Sequence, residues 1–355
     1  MHRRAQNHEQ VTVVDVNPRQ SWRNLPVMDR RTFVSGLAAL SASRIAGAQP
    51  APKIARIGII TSGFASAEMK GPNPDNATVA AFLRGMRELG YEYGKDFVTD
   101  PRGGEGRTEQ YAALAAELVR LPADVIVAGG PTLPAVMRAT STIPVVMVGG
   151  ALDPVRDGFA RSLGQPGGNV TGLSIQQVDT TAKRLEILKE VVPTAPVAAL
   201  WEATSRSSWH AAEAAARARD WKVVSLEVSD AASIDRAFKM ATSAGAGALL
   251  VIGGGRIFGQ RQQVVDLAAA HRLPTMYSLR NFVDAGGLMS YAADLIDSWR
   301  RSATFVDRIL KGAKPAEMPI EQSTKFELVI NLKTAKALGL AMPRSLLQRA
   351  DQIIE

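Results

Sequence analysis

The chain has 355 residues, 46% of them apolar and 21% charged, with 42 Lys+Arg against 34 Asp+Glu and no cysteine. That length predicts two compact domains rather than one, and the composition excludes wholesale disorder. The missing cysteine excludes disulfides, Cys-ligated zinc, iron–sulfur clusters, a thiol nucleophile and a lipid-modified N-terminal cysteine.

The N-terminus reads as an address. Asp29-Arg30-Arg31 forms a charged n-region, residues 32–43 are small and apolar, and Ala46-Gly47-Ala48 is a small-x-small cleavage site. The apolar run is shorter than the roughly 20 residues a membrane helix needs. A Sec or twin-arginine leader cleaved near Ala48 is expected, the latter because Arg30-Arg31-Thr32-Phe33 fits the RR-x-Phe core. Residues 1–27 are polar and aperiodic, so Met28 reads as the initiator and residues 1–48 as a non-native start plus signal peptide. Those 48 residues hold seven Lys/Arg and three acids, a net +4. Subtracting that from the total of +8 leaves +4 for the mature chain, and the case for a nucleic-acid partner falls with it.

Beyond residue 53, short Val/Ile-rich runs alternate with helical patterns. Strands are predicted at 54–60, 96–99, 124–128 and 143–148. The helical faces between them carry Val79, Phe82, Leu83 and Met86, then Tyr111, Leu114 and Leu118, then residues 132–140. A Gly/Pro-rich stretch at 164–172 reads as a bridge. The pattern then repeats. A helix carrying Leu185, Leu188 and Val192 is followed by strands at 197–201, 222–228, 248–252 and 274–277, with helices at 207–220, 231–243 and 259–271. A strand at 288–291, a helix from Leu295 to Ile309, a strand at 326–330 and helices at 332–338 and after Pro343 complete the chain. Strand–helix alternation of this kind implies parallel sheets built from right-handed βαβ units, here two similar α/β lobes, with one large eight-stranded sheet as the alternative.

Several segments carry a resemblance. They are residues 166–173 (PGGNVTGL), 271–274 (HRLP), 286–291 (GGLMSY), 308–315 (RILKGAKP) and 324–335 (TKFELVINLKTA). Together they resemble the periplasmic substrate-binding proteins of ABC transporters of the tryptophan/tyrosine-binding type, over about residues 55–355. The resemblance implies a type I periplasmic binding fold: two Rossmann-like lobes, several crossovers and a ligand cleft between the lobes. It also implies discontinuous lobes, with 53–165 and 286–322 in lobe 1 and 166–285 and 323–355 in lobe 2. Members of that family often carry Asn-Pro after the strand at 197–201 and Asp-Pro after that at 248–252. This chain has Glu202-Ala203-Thr204 and Gly253-Gly254-Gly255-Arg256 there, which puts the family's usual ligand in doubt.

Independently of the resemblance, ligands in open α/β sheets bind beyond the C-terminal ends of strands, near helix N-termini. That rule selects Thr61, Ser62, Gly63 and Phe64, whose hydroxyls and amides could hold a carboxylate, or which could be a plain turn. It selects Gly130, Pro131 and Thr132, where Thr132 could equally cap a helix. It selects Asp153, either an ammonium acceptor or an Asx turn before Pro154. In the second lobe it selects Trp201, Glu202, Gly254, Arg256, Tyr277, Ser278 and Tyr291, with Arg256 able to grip a carboxylate bidentately or to sit in solvent. Catalytic motifs are scarce. The residues 253–259 lack dinucleotide spacing, 103–107 lack a P-loop Gly-Lys-Ser/Thr, and His210 and His271 stand 61 positions apart.

The expectation is a non-enzymatic, periplasmic, monomeric solute-binding component of an ABC importer. It needs no metal or cofactor, docks on inner-membrane permease subunits, and closes on a small amino acid-like or aromatic carboxylate. A sensory binding module and an exported α/β hydrolase are the alternatives.

Overall fold

The structure, a computed structural model, describes residues 53–150, 153–175 and 177–355; the expected leader lies outside them. Five strands come first: β1 (Ala55–Thr61), β2 (Phe97–Gly103), β3 (Val125–Gly129), β4 (Val145–Val148) and β5 (Val170–Ser174). Between them lie α1 (Ala77–Glu88), α2 (Tyr111–Arg120) and α3 (Leu133–Ala139). The middle of the chain runs α4 (Gln177–Val191), β6 (Val197–Trp201), α5 (Arg206–Arg217), β7 (Val223–Glu227), α6 (Ala231–Ser243) and β8 (Ala248–Gly253). It continues through α7 (Gly255–Gly259), α8 (Arg261–Ala270), β9 (Thr275–Tyr277), α9 (Arg280–Asp284) and β10 (Met289–Ala293). Last come α10 (Leu295–Leu310), β11 (Ile320–Gln322), β12 (Phe326–Asn331), α11 (Leu332–Leu338), α12 (Arg344–Leu347) and β13 (Gln352–Ile354).

These strands form two sheets, not one. The first has the order β11-β5-β4-β3-β1-β2 and is parallel throughout. The second has the order β13-β12-β10-β9-β8-β6-β7 and is mixed, because β12 runs antiparallel to β10. Every residue of β3, β4, β6 and β8 is buried. That is why these strands read as unbroken apolar runs: each sheet has helices on both faces. In lobe 1, α1 and α10 cover one face through Phe82, Met86, Trp299 and Phe305, while α2 and α3 cover the other through Leu118, Leu133 and Val136. In lobe 2, α4 and α5 contribute Leu185, Leu188 and Trp209 to one face, and α6 and α8 contribute Ile234, Phe238 and Val264 to the other. Asn76, Asp230, Asp294 and Asn331 set the starts of α1, α6, α10 and α11 by accepting a hydrogen bond from the amide three residues on.

Sheet membership moves two of the expected lobe boundaries. Residues 170–174 are not a bridge but strand β5, paired with β4 in the first sheet. The glycine that suggested a turn, Gly172 (φ +123°), is there because a Cβ would collide with the Met147 backbone on the neighbouring strand. The first crossover therefore follows Ser174. The second follows Ala293, since β10 pairs with β9 and β12 in lobe 2 and the chain returns to lobe 1 with α10 and β11. A third follows Gln322. The three crossings are tied together: Ser323 N donates to Ser174 O (2.9 Å), and Lys325 Nζ bonds Asp294 Oδ2 (3.1 Å). Among the described residues no helix is long and apolar enough to cross a membrane.

Candidate functional site

The C-terminal ends of both sheets face a single cavity. From lobe 1 it is lined by Thr61, Ser62, Phe64, Thr78, Gly129, Gly130, Pro131, Val148, Gly150, Ile175, Leu295 and Trp299. From lobe 2 it is lined by Gly253, Gly254, Phe258, Ser278, Leu279 and Phe282. Its walls are aromatic. Phe64 meets Phe258 edge to face across the lobes (centroids 5.6 Å), Phe258 meets Phe282 the same way (6.2 Å), and Phe282 stacks on Tyr277 (5.0 Å). Trp299 packs against Gly129, where a Cβ would come within 3.1 Å of the indole. Among the described lining residues none is Asp, Glu, Lys or Arg. Polar character comes from the hydroxyls of Thr61, Ser62, Thr78 and Ser278 and from glycine backbone. The cavity opens past Thr78, Leu279 and Leu295 into a groove rimmed by Glu68, Asp75, Arg280, Asp284 and Glu327.

Thr61, Ser62, Phe64, Gly130, Pro131, Gly254 and Ser278, all singled out from the sequence, line this cavity. The remaining candidates lie elsewhere. Gly63 sits against the Phe258 ring with no room for a side chain. Thr132 is fully buried, and its hydroxyl donates to Gly129 O (2.9 Å), so it is spent on the local turn. Asp153 forms the Asx turn: its Oδ1 accepts from the amides of Val155 and Arg156, both at 3.0 Å. Trp201 faces the lobe 2 core, stacked on Trp209, with Nε1 donating to Ser225 Oγ. Tyr277 is 1% exposed and packed beneath Phe282. Tyr291 stacks on Phe326, and its carbonyl accepts from the buried Arg184.

Glu202 and Arg256 serve the junction between the lobes rather than the cavity wall. Glu202 is 5% exposed and caps the short helix α7, its Oε1 accepting from Ile257 N (2.6 Å). Its carboxyl lies directly behind Gly254, whose φ of +141° and lack of a Cβ permit that approach. Burial pushes the Glu202 carboxyl up to about 7, against the Ile257 and Arg256 amides and the Arg256 guanidinium, which favour its charged form. Arg256 reaches across to lobe 1, donating to Thr108 Oγ1 (2.8 Å) and pairing with Glu109 (3.3 Å). Next to it the Tyr111 ring fills the space that a side chain at Gly255 would need, and Gly106 meets Gly259 backbone to backbone. Ser205 fixes the loop, donating to Gly253 O (2.9 Å).

The sequence reading missed Phe258, Phe282, Leu295 and Trp299, the residues that make the cavity aromatic and apolar. Their shared signature is an apolar side chain within the first turns of a helix that begins beyond a strand end.

The profile described as ABC transporter substrate binding protein matches residues 69–354. The chain belongs to the ABC transporter substrate-binding protein family. A curated relative, the tyrosine-binding protein of Clostridioides difficile (strain R20291), is 25% identical over 275 residues, spanning 76% of this chain and 78% of that protein. A solved domain from Streptococcus pneumonia in complex with L-Trp is 26% identical, covers 85% of this chain and all of its own, and superposes with a TM-score of 0.76. A ligand-free, open substrate-binding protein from Clostridium difficile shares the fold at 21% identity, covering 85% of this chain and 99% of its own, with a TM-score of 0.59. The two solved structures share the fold of this chain.

Proposed function

We propose that this chain is the periplasmic ligand receptor of an ABC importer, binding a small molecule with an aromatic or branched apolar body and a carboxylate. The observation that carries this is the cavity itself, built from both lobes, walled by Phe64, Phe258, Phe282 and Trp299, and supplied with hydroxyls rather than acid–base groups. A ligand there touches both lobes, so it binds the closed arrangement better than an open one, and that difference drives closure. The tied crossings at Ser174, Asp294 and Ser323 are the hinge about which the lobes turn. The closed monomer is what the permease subunits read. Leader cleavage near Ala48 delivers it to the periplasm. Binding rather than turnover is the reading, in keeping with the substrate-binding family to which the chain belongs.

The test is a thermal-shift screen against amino acids and aromatic or branched carboxylates, followed by X-ray scattering with any hit. A ligand at 100 times its dissociation constant stabilises the folded form by about 2.7 kcal/mol. The expected result is such a shift with a smaller radius of gyration. Silence across the whole set, or chemical conversion of the hit, overturns the reading.

A further inference from the structure

The cavity's electrostatics restrict the ligand further. Resting on the receptor reading above, we infer that the ligand is an aromatic carboxylate without an ammonium group, and that Ser278 is its specificity-determining hydrogen-bond partner.

Ser278 is 1% exposed, lines the cavity at the end of β9, and its hydroxyl has no hydrogen-bond partner. A buried hydroxyl left unpaired is unfavourable, and a ligand oxygen in the cavity would satisfy it. Its backbone is already fixed, because Ser278 O accepts from Arg184 (3.5 Å).

The surroundings favour negative charge and disfavour positive charge. α1 and α10, of 12 and 16 residues, both begin at the cavity, with Thr78 in the first turn of one and Leu295 as the first residue of the other. α1 is capped by the neutral Asn76 and keeps a positive end there, whereas the start of α10 already carries the Asp294 carboxylate. Arg261 lies behind the aromatic wall, 5.9 Å from the Phe64 centroid and 5.6 Å from that of Phe258. A ligand ammonium would meet rings already holding one cation. It would also be desolvated with no carboxylate among the described lining residues: Glu202, behind Gly254, is committed to capping α7. The acids of the outer groove do not line the cavity, and three of them are paired. Asp284 pairs with Arg280, and Asp294 and Glu327 pair with Lys325. A zwitterionic amino acid therefore fits the apolar walls but not the charge.

The experiment is calorimetry of the full chain with three matched probes: 3-phenylpropionate, L-phenylalanine and 3-phenylpropanamide, repeated with indole-3-propionate and L-tryptophan. The carboxylates are expected to bind at least tenfold tighter than the amino acids and the amide. Amino acids binding equally or tighter overturn the inference and leave the receptor reading standing. An amide that matches the carboxylate overturns the assignment of an anion. Failure of every probe overturns both. Ser278→Ala is expected to weaken carboxylate binding three- to tenfold while the unliganded melting temperature stays level or rises, because an unpaired buried hydroxyl is gone. Unchanged affinity in that variant refutes the role of Ser278.

Discussion

Glu202 shows how one buried carboxyl can be read at the scale of a single side chain. In the unfolded chain it ionises at the ordinary 4.5, whereas burial keeps it protonated up to about 7 in the fold. The folded state therefore holds a proton that the unfolded state has lost, so stability falls as pH rises through that window and levels off above it. The full effect is about 3 kcal/mol at most. Glu202→Gln keeps the shape and an oxygen for the Ile257 amide but cannot ionise. The melting temperature of the wild type is expected to fall more steeply between pH 5 and 7.5 than that of the variant, with the variant the more stable at pH 7.5. Parallel curves would show that ionisation of this carboxyl is not what limits stability there.

At the scale of elements, the tightest packing is where α1 crosses α10. A methyl at Gly85 would collide with the Arg300 carbonyl, and a backbone carbonyl cannot swing aside as a side-chain tip can. Gly85→Ala is therefore expected to lower stability by about 1–3 kcal/mol in urea unfolding, even though alanine is the better helix former. A gain in stability would mean that the two helices can part without loss. The same scale shows what the sequence made legible. The central strands of both lobes were readable because burial on both faces leaves a run such as 125–129 or 197–201 with no polar interruption, whereas the short edge strands β11 and β13 were not. β5 was not, because close contact with β4 demands the glycine at 172 that otherwise signals a turn. β10 was readable as a strand, but its lobe was not, since pairing is a matter of neighbours rather than composition. At the site, the loops after β1, β3 and β8 follow from the geometry of α/β sheets. The aromatic wall does not, because Phe258 and Trp299 look in sequence like ordinary helix-face residues. The charged candidates could not be assigned from sequence for a common reason. Asp153 and Arg256 satisfy their bonding within the protein, one in a turn and one across the lobes, and a sequence does not reveal which partner a charge finds.

At the scale of the whole molecule, the lobes meet through few polar contacts, and the Arg256 link to Thr108 and Glu109 is the clearest of them. Glu109 is 61% exposed, so the pair contributes on the order of 1 kcal/mol or less. Arg256→Ala is expected to raise the dissociation constant of any cavity ligand by no more than about fivefold, with the loss in the off-rate, although Arg256 does not line the cavity. A loss of a hundredfold would place the guanidinium on the ligand after all. The backbone contact of Gly106 with Gly259 has a different consequence. A Cβ at Gly259 would stand 2.5 Å from the Gly106 Cα, so a single added carbon acts as a wedge in the jaw. Gly259→Ala is expected to fold normally yet stay ajar, with weakened ligand retention and a larger radius of gyration in scattering. Such a chain would work as a decoy: a receptor that cannot finish its bite, able to show whether the transporter responds to the cargo or only to the shape of the closed mouth.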